Sequence, residues 1–255
     1  MSNIPRYIPD TLLNDYTLNG QIEIIDMFYS DGTEPKNIVW TDEFVENFKN
    51  TMTPYNIFNN IDISDTSNRY RCAYHNGPLF NLIAIINYKS HIENKKVAVI
   101  GSLDPWLEAL ILNFNPLSVT TIEYNTPQTT KLIKTVSYND FINSDEQYDA
   151  IFSYSSIEHS GLGRYGDPLN PNGDIETMQQ IHKHLKDYGL AFIGIPIGKD
   201  LVCWNAHRIY GNIRLPLVFK GFKELEWIGS PKSYIDFGVT HIGGGTQPVI
   251  VLEKL

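Results

Sequence analysis

Apolar and polar residues fall in two different patterns along this chain, and the change comes near Lys95. Before it the sequence is polar, rich in Asn and Asp, and weakly periodic. Thr41 to Lys49 reads as a helix: Thr41 is a cap, and Phe44, Val45 and Phe48 form one apolar face. Leu79 to Tyr88 reads as a second helix, and Asn50 to Asn68 as loop. From Lys96 the blocks sharpen. Val97 to Ile100 is a short continuous apolar run, the mark of a strand buried on both faces. Asp104-Pro105 reads as an N-cap followed by Pro at the first helical position, opening a helix from Trp106 to Phe114. Val119 to Glu123 predicts a second strand, followed by a polar, helix-like stretch. Ala150 to Tyr154 predicts a third strand, Met178 to Leu185 a helix, and Leu190 to Ile195 a strand launched by Tyr188-Gly189. Tyr234 to Val239 and Val249 to Leu252 read as a late strand pair around Gly243 to Gly245, antiparallel at one edge. Alternating strand and helix predicts an α/β protein with a doubly wound, mostly parallel sheet. Residues 1–95 read as an N-terminal extension, a lid or a homodimer contact, and residues 96–255 as the catalytic domain.

Composition narrows the partners. The chain has 255 residues, 42% of them hydrophobic and 19% charged, enough to bury a core. Its net charge of -9 gives no electrostatic footprint for nucleic acid, so that partner is set aside. A few arginines in a cleft still suffice for a small anionic substrate. Two cysteines, Cys72 and Cys203, make no disulfide framework and no metal-type spacing. The first ten residues lack a signal-peptide pattern, and no apolar run approaches the ~18 residues that span a bilayer. A cytoplasmic protein with no membrane partner is expected.

The densest chemistry lies between Tyr148 and Pro168. A strand runs into Glu158, His159, Arg164 and Asp167, with glycines between them. Strand ends that release polar groups into such turns are where α/β enzymes keep their sites. The first strand ends Ile100-Gly101-Ser102-Leu103-Asp104-Pro105, without G-x-G-x-x-G and without a P-loop lysine. Asp104 at the helix start would repel a pyrophosphate, which disfavours a nicotinamide oxidoreductase. S-adenosylmethionine has no phosphate and tolerates such a turn, and Gly101 would let the backbone approach it closely. Glu123, at the end of the second strand, is placed to accept hydrogen bonds from ribose hydroxyls.

The combination resembles the class I S-adenosylmethionine-dependent methyltransferases. Val97 to Gly101, Glu123, Tyr148 to His159 and Leu185-Lys186-Asp187-Tyr188-Gly189-Leu190 carry the likeness. Ile100-Gly101-Ser102 with Pro105-Trp106, Thr121 to Asn125, Ser155 to Pro168 and Asn205 to Gly211 are similar to a bacterial family of methyltransferase-like domains associated with surface polysaccharides. The motifs also resemble methyltransferases of the capsular O-methyl phosphoramidate modification. The first loop departs from the broad pattern, with one glycine where several are usual. The resemblance implies a Rossmann-like class I methyltransferase fold and S-adenosylmethionine held by Gly101, Ser102, Glu123, Tyr124, Ser155 and Ser156. It also implies a small phosphorylated or phosphoramidate acceptor, and a divalent metal such as Mn or Mg.

Methyl transfer needs an aligned acceptor oxygen whose proton can leave. His159 and His207 are the candidate bases, with Glu158 or Asp167 orienting an imidazole. Alternatively, His159, Asp167 and His207 together bind one divalent ion. Arg164 and Arg208 are candidates to grip an anionic acceptor, with hydroxyl contacts from Tyr165 and Tyr210. Each of these residues also has a plainer reading, as a surface ion pair, a cap or core packing. Asp174 reads as an N-cap, His182 and His184 as solvated, Trp106 as core and His241 as part of a turn. A non-catalytic binding or scaffold protein is the alternative, because fold alone does not establish activity.

Overall fold

The computed structural model describes residues 4–29, 38–61, 67–72, 74–128, 130–236 and 246–255. In chain order the elements are α1 (Asp10–Tyr16), β1 (Glu23–Met27), α2 (Asp42–Thr51), α3 (Pro54–Asn59), α4 (Gly77–Asn87), β2 (Lys96–Ile100), α5 (Trp106–Leu112), β3 (Ser118–Glu123) and β4 (Lys134–Ser137). There follow α6 (Tyr138–Ile142), β5 (Tyr148–Tyr154), α7 (Gly173–His184), β6 (Leu185–Gly194), β7 (Leu201–Asn205), β8 (His207–Ile209), α8 (Leu215–Val218), β9 (Phe222–Ile228) and β10 (Val249–Lys254).

Seven strands form the main sheet in the order β4-β3-β2-β5-β6-β10-β9. The first five are mutually parallel. β10 is antiparallel to both its neighbours, so β9 at the edge runs with the rest. Counted from β2, the order is the doubly wound 3-2-1-4-5-6 with one antiparallel strand inserted before the last. Successive side chains of a strand face opposite sides. Val97 and Val99 therefore join Phe152, Phe192 and the apolar faces of α2, α4 and α5 in one core layer. Ala98 and Ile100 join Ile151, Ile193 and Met178 and Ile181 of α7 in the other.

A second, three-stranded sheet has the order β1-β7-β8. β1 runs parallel to β7, from Glu23 opposite Leu201 to Met27 opposite Asn205. Just beyond this ladder the Asn205 side chain pairs with the Tyr29 backbone. Its Oδ1 accepts from the Tyr29 N–H at 2.8 Å, and its Nδ2 donates to the Tyr29 carbonyl at 3.0 Å.

The cap expected at Thr41 is present, its hydroxyl accepting from the Phe44 amide. Other expectations need correction. Asp104 does not cap α5; Pro105 takes the cap position, and the Asp104 carbonyl accepts from the Trp106 amide. The stretch expected to be loop contains α3, whose cap is Thr53 with Pro54 at its first turn. The polar stretch after β3 holds the edge strand β4 before the short α6. The partner of β10 at the C-terminal edge is β9 rather than a strand at 234–239: Lys232–Ile235 is a 3-10 helix, and residues 237–245, with His241 and Gly243 to Gly245, lie outside the described residues. Asn172, not Asp174, holds the cap position of α7. His184 is buried rather than solvated; its Nδ1 bonds the Glu146 carbonyl at 2.8 Å and its ring lies 4.0 Å from that of Phe141.

Candidate active site

A cleft of about 890 Å³, counted out to its open mouth, lies where the strand order reverses between β2 and β5. Its walls come from the carboxyl ends of three strands: Gly101 and Ser102 after β2, Glu123 and Tyr124 at and after β3, Ser155 and Ser156 after β5. This is the position at which open α/β sheets bind ligands.

Glu123 organises the floor. Its Oε1 accepts from the Ser102 amide at 2.9 Å and its Oε2 from the Tyr124 amide at 2.7 Å. The Asn125 amide also acts on this carboxylate, whose four lone pairs still leave capacity for a ligand hydroxyl. Burial pushes the Glu123 pKa up, and the amides of Tyr124 and Ser102 work against it. Gly101 has φ +83°, which only glycine adopts freely. The space a Cβ would occupy there is filled by Ser156, whose Oγ would lie at 1.9 Å. Close contact between two loops therefore demands this glycine, which also lines the cleft. Tyr124 stacks on Tyr138, with centroids 4.7 Å apart and planes at 27°, making an aromatic wall. Tyr138 gave no signal beyond its place before the apolar residues of a short helix.

The turn after β5 carries the acid–base groups. His159 lines the cleft, and its Nδ1 lies 2.5 Å from the Ala206 carbonyl oxygen. A carbonyl only accepts, so Nδ1 carries the proton and Nε2 carries the lone pair. Burial holds the imidazole well below its ordinary value, at about 3, and nearby Arg164 adds to this. His159 is therefore neutral at physiological pH, with a fixed tautomer. Glu158 is fully buried and lies 3.8 Å from Nε2 through its Oε1, which also accepts from the Ser155 hydroxyl at 3.0 Å. Burial pushes its carboxyl up to about 7. The Ala206 carbonyl thus orients the imidazole, and the carboxylate stands on the reactive side of the ring.

The two distant loops do converge. The rings of His159 and His207 are 6.3 Å apart. His207 is buried, its Nε2 has no hydrogen-bond partner among the described residues, and burial together with Arg164 lowers its pKa. The Arg164 guanidinium lies 4.4 Å from the Tyr29 ring and 5.2 Å from that of Tyr165. Tyr165 is exposed and lines the cleft.

Three expected roles fail on geometry. Arg208 is wholly buried: it donates to the Ser160 carbonyl at 2.6 Å and to the Pro171 carbonyl at 3.3 Å, and lies 3.7 Å from Asp174. Tyr210 is equally buried and donates to Asp174 at 3.0 Å. Arg214, which carried no motif, completes this network with two bonds to Asp174 at 2.6 and 2.8 Å. Asp167 is no metal ligand. Its Oδ2 accepts from the amides of Gly161 at 2.7 Å and Gly163 at 3.2 Å, and its Oδ1 from that of Tyr165 at 3.3 Å. Among the described residues no three His, Cys, Asp or Glu side chains are grouped to hold a metal ion. The set His159, Asp167 and His207 does not fit Mn or Mg.

Strand order, reversal-point cleft and the acid ending β3 together define a Rossmann-like class I methyltransferase fold. Residues 94–238, more than half of the chain, match the family described as Caenorhabditis protein of unknown function, DUF268, and the chain belongs to that family. No curated protein matches it. Among solved structures, it is similar to a protein provisionally named a hemolysin from Lactococcus lactis (13% identity, 71% of this chain and 88% of that one, TM-score 0.45). It is also similar to a provisionally assigned sarcosine dimethylglycine methyltransferase from Galdieria sulphuraria (12%, 68% and 82%, 0.47) and to the N-methyltransferase NodS from Bradyrhizobium japonicum WM9 (11%, 70% and 98%, 0.43).

Proposed function

We propose that this protein is an S-adenosylmethionine-dependent methyltransferase that methylates an oxygen of a small molecule, with His159 as the base. The observation that carries the reading is the pairing, in one cleft, of Glu123 at the end of β3 with a neutral imidazole whose Nε2 is unprotonated. Glu123, with acceptor capacity left beyond its amide bonds, suits a ribose hydroxyl, and the Tyr124–Tyr138 wall suits a base. When bound, S-adenosylmethionine supplies an electrophilic methyl group on a sulfonium that leaves as a thioether. The protein must then hold the acceptor hydroxyl in line and take its proton. His159 Nε2 is placed to accept that proton, and Glu158, 3.8 Å away with its carboxyl raised to about 7, is the more basic of the two and retains it. Ala206 and Ser155 hold the pair in register. No metal takes part in this scheme.

For the acceptor, the resemblance argues for a phosphorylated or phosphoramidate precursor of surface polysaccharide. Of the cationic residues first considered for it, Arg208 is wholly buried and bonded to the Ser160 and Pro171 carbonyls, which leaves Arg164. Calorimetry with S-adenosylhomocysteine tests the cofactor. The wild type should bind it, and Glu123→Ala should lose at least about tenfold in affinity, which is 1.4 kcal/mol. Equal affinity in the two proteins, with unchanged circular dichroism, would refute the reading.

A further inference from the structure

A second lobe opens beside the cleft, sharing Tyr74, Gly101, Ser102 and Leu103 with it and continuing over Asp104 to Arg69 and Arg71. Local structure places the arginines together. The Asn68 side chain accepts from the Tyr70 amide at 2.9 Å, and its carbonyl accepts from the Arg71 amide at 3.2 Å, closing a turn. Tyr70 points inward from that turn, packing its ring on Phe44 and Phe48 and accepting a bond from Asn47. Arg69 and Arg71 flank it. The Arg69 guanidinium lies over the Phe44 ring at 5.4 Å. Neither guanidinium makes an ion pair within 4.0 Å among the described residues. Asp104 faces them in the same lobe; burial raises its pKa and Arg69 opposes this. With all three groups ionised, the lobe carries one net positive charge in a protein of net charge -9.

We propose that this lobe is an oxyanion subsite in which Arg69 and Arg71 hold a carboxylate or phosphoryl group of a molecule whose remainder lies in the main cleft. Two planar guanidinium forks on one turn suit a single oxyanion. The oxyanion has two sources, the carboxylate of the cofactor's amino-acid end or an acidic group on the acceptor. The first of these rests on the cofactor reading above, and the second does not.

The test uses S-adenosylhomocysteine, 5′-methylthioadenosine (the same nucleoside thioether without the amino-acid end) and inorganic phosphate at constant ionic strength. Affinities come from calorimetry, and the phosphate effect from the shift in Tm. Charge-assisted hydrogen bonds contribute about 1.5–3 kcal/mol, so Arg71→Gln should cost roughly ten- to a hundred-fold in the relevant affinity. A loss for S-adenosylhomocysteine with methylthioadenosine unchanged identifies the cofactor's carboxylate. A lost phosphate shift with S-adenosylhomocysteine unchanged identifies the acceptor's group. Arg69→Gln should follow the same ligand. If neither variant alters any of the three responses, the subsite is overturned. If the wild type binds neither nucleoside, the cofactor reading falls, and the phosphate arm alone decides the subsite.

Discussion

Glu108 lies wholly inside the protein on α5, its Oε1 accepting the Thr121 hydroxyl at 2.7 Å and its Oε2 without a partner among the described residues. Burial pushes its carboxyl from 4.5 up to about 7. Between those values the folded state binds more protons than the unfolded one, so this group costs stability as pH rises through the window. The full cost is about 3 kcal/mol. Glu108→Gln should therefore melt above the wild type at pH 8 and close to it at pH 4.5; an equal offset at both would show that Glu108 does not titrate there. His159 has the opposite sign. Its pKa falls from 6.5 in the unfolded chain to about 3, so it costs stability as pH drops below 6.5. Such facts mark the limit of reading residues singly. Glu123 was legible because it ends a strand, and Glu158 and His159 because they sit in the turn that follows one. Arg208, in a short strand, and Tyr210, just after it, were misread because a polar side chain there looks the same whether it faces a cleft or a buried Asp. Arg69 and Arg71 escaped notice because an Asx turn, not a periodic element, presents them.

At the scale of elements, the buried Asp174 joins α7 to β8 and to the segment that leads into α8. Its pKa lies below the ordinary value: burial pushes up, and Arg208 and Arg214 outweigh it. Removing one member of such a cluster leaves buried charge uncompensated, at about 3–5 kcal/mol. Asp174→Asn should lower Tm by roughly 10 °C, read by calorimetry, since each kcal/mol shifts Tm by about 2–4 °C in a chain of this size. A drop of only a degree or two would mean the arginines find other partners. The central strands were legible because burial on both faces makes them continuous apolar runs. β1, β7 and β8 were not. β7 and β8 are neighbours in the chain, but β1 pairs with β7 from far away in it, and no local pattern announces that partnership. β4 was hidden by its polar edge position, and α3 by a Thr-Pro cap signal inside an Asn-rich stretch.

For the whole molecule, the first 95 residues supply Trp40, Val45, Phe48, Met52, Leu82 and Ile85 to the same core layer as Val97, Val99 and Phe152. A chain beginning at residue 96 would expose that layer. It should be insoluble, or bind a hydrophobic dye and lack near-ultraviolet dichroism. A soluble, cooperatively melting fragment would show that the late residues fold alone. No helix among the described residues is long and apolar enough to cross a membrane. One detail ties the early residues to the chemistry itself. The amide of Asn205 behaves as an extra rung that locks Tyr29 beside β7, two residues before His207, and Tyr29 lies under Arg164. Strand registry at the amino-terminal end thus sets where a guanidinium sits above the imidazoles. Sliding β1 by a single position would turn every one of its side chains over and unseat that cation, with no change in the catalytic loops.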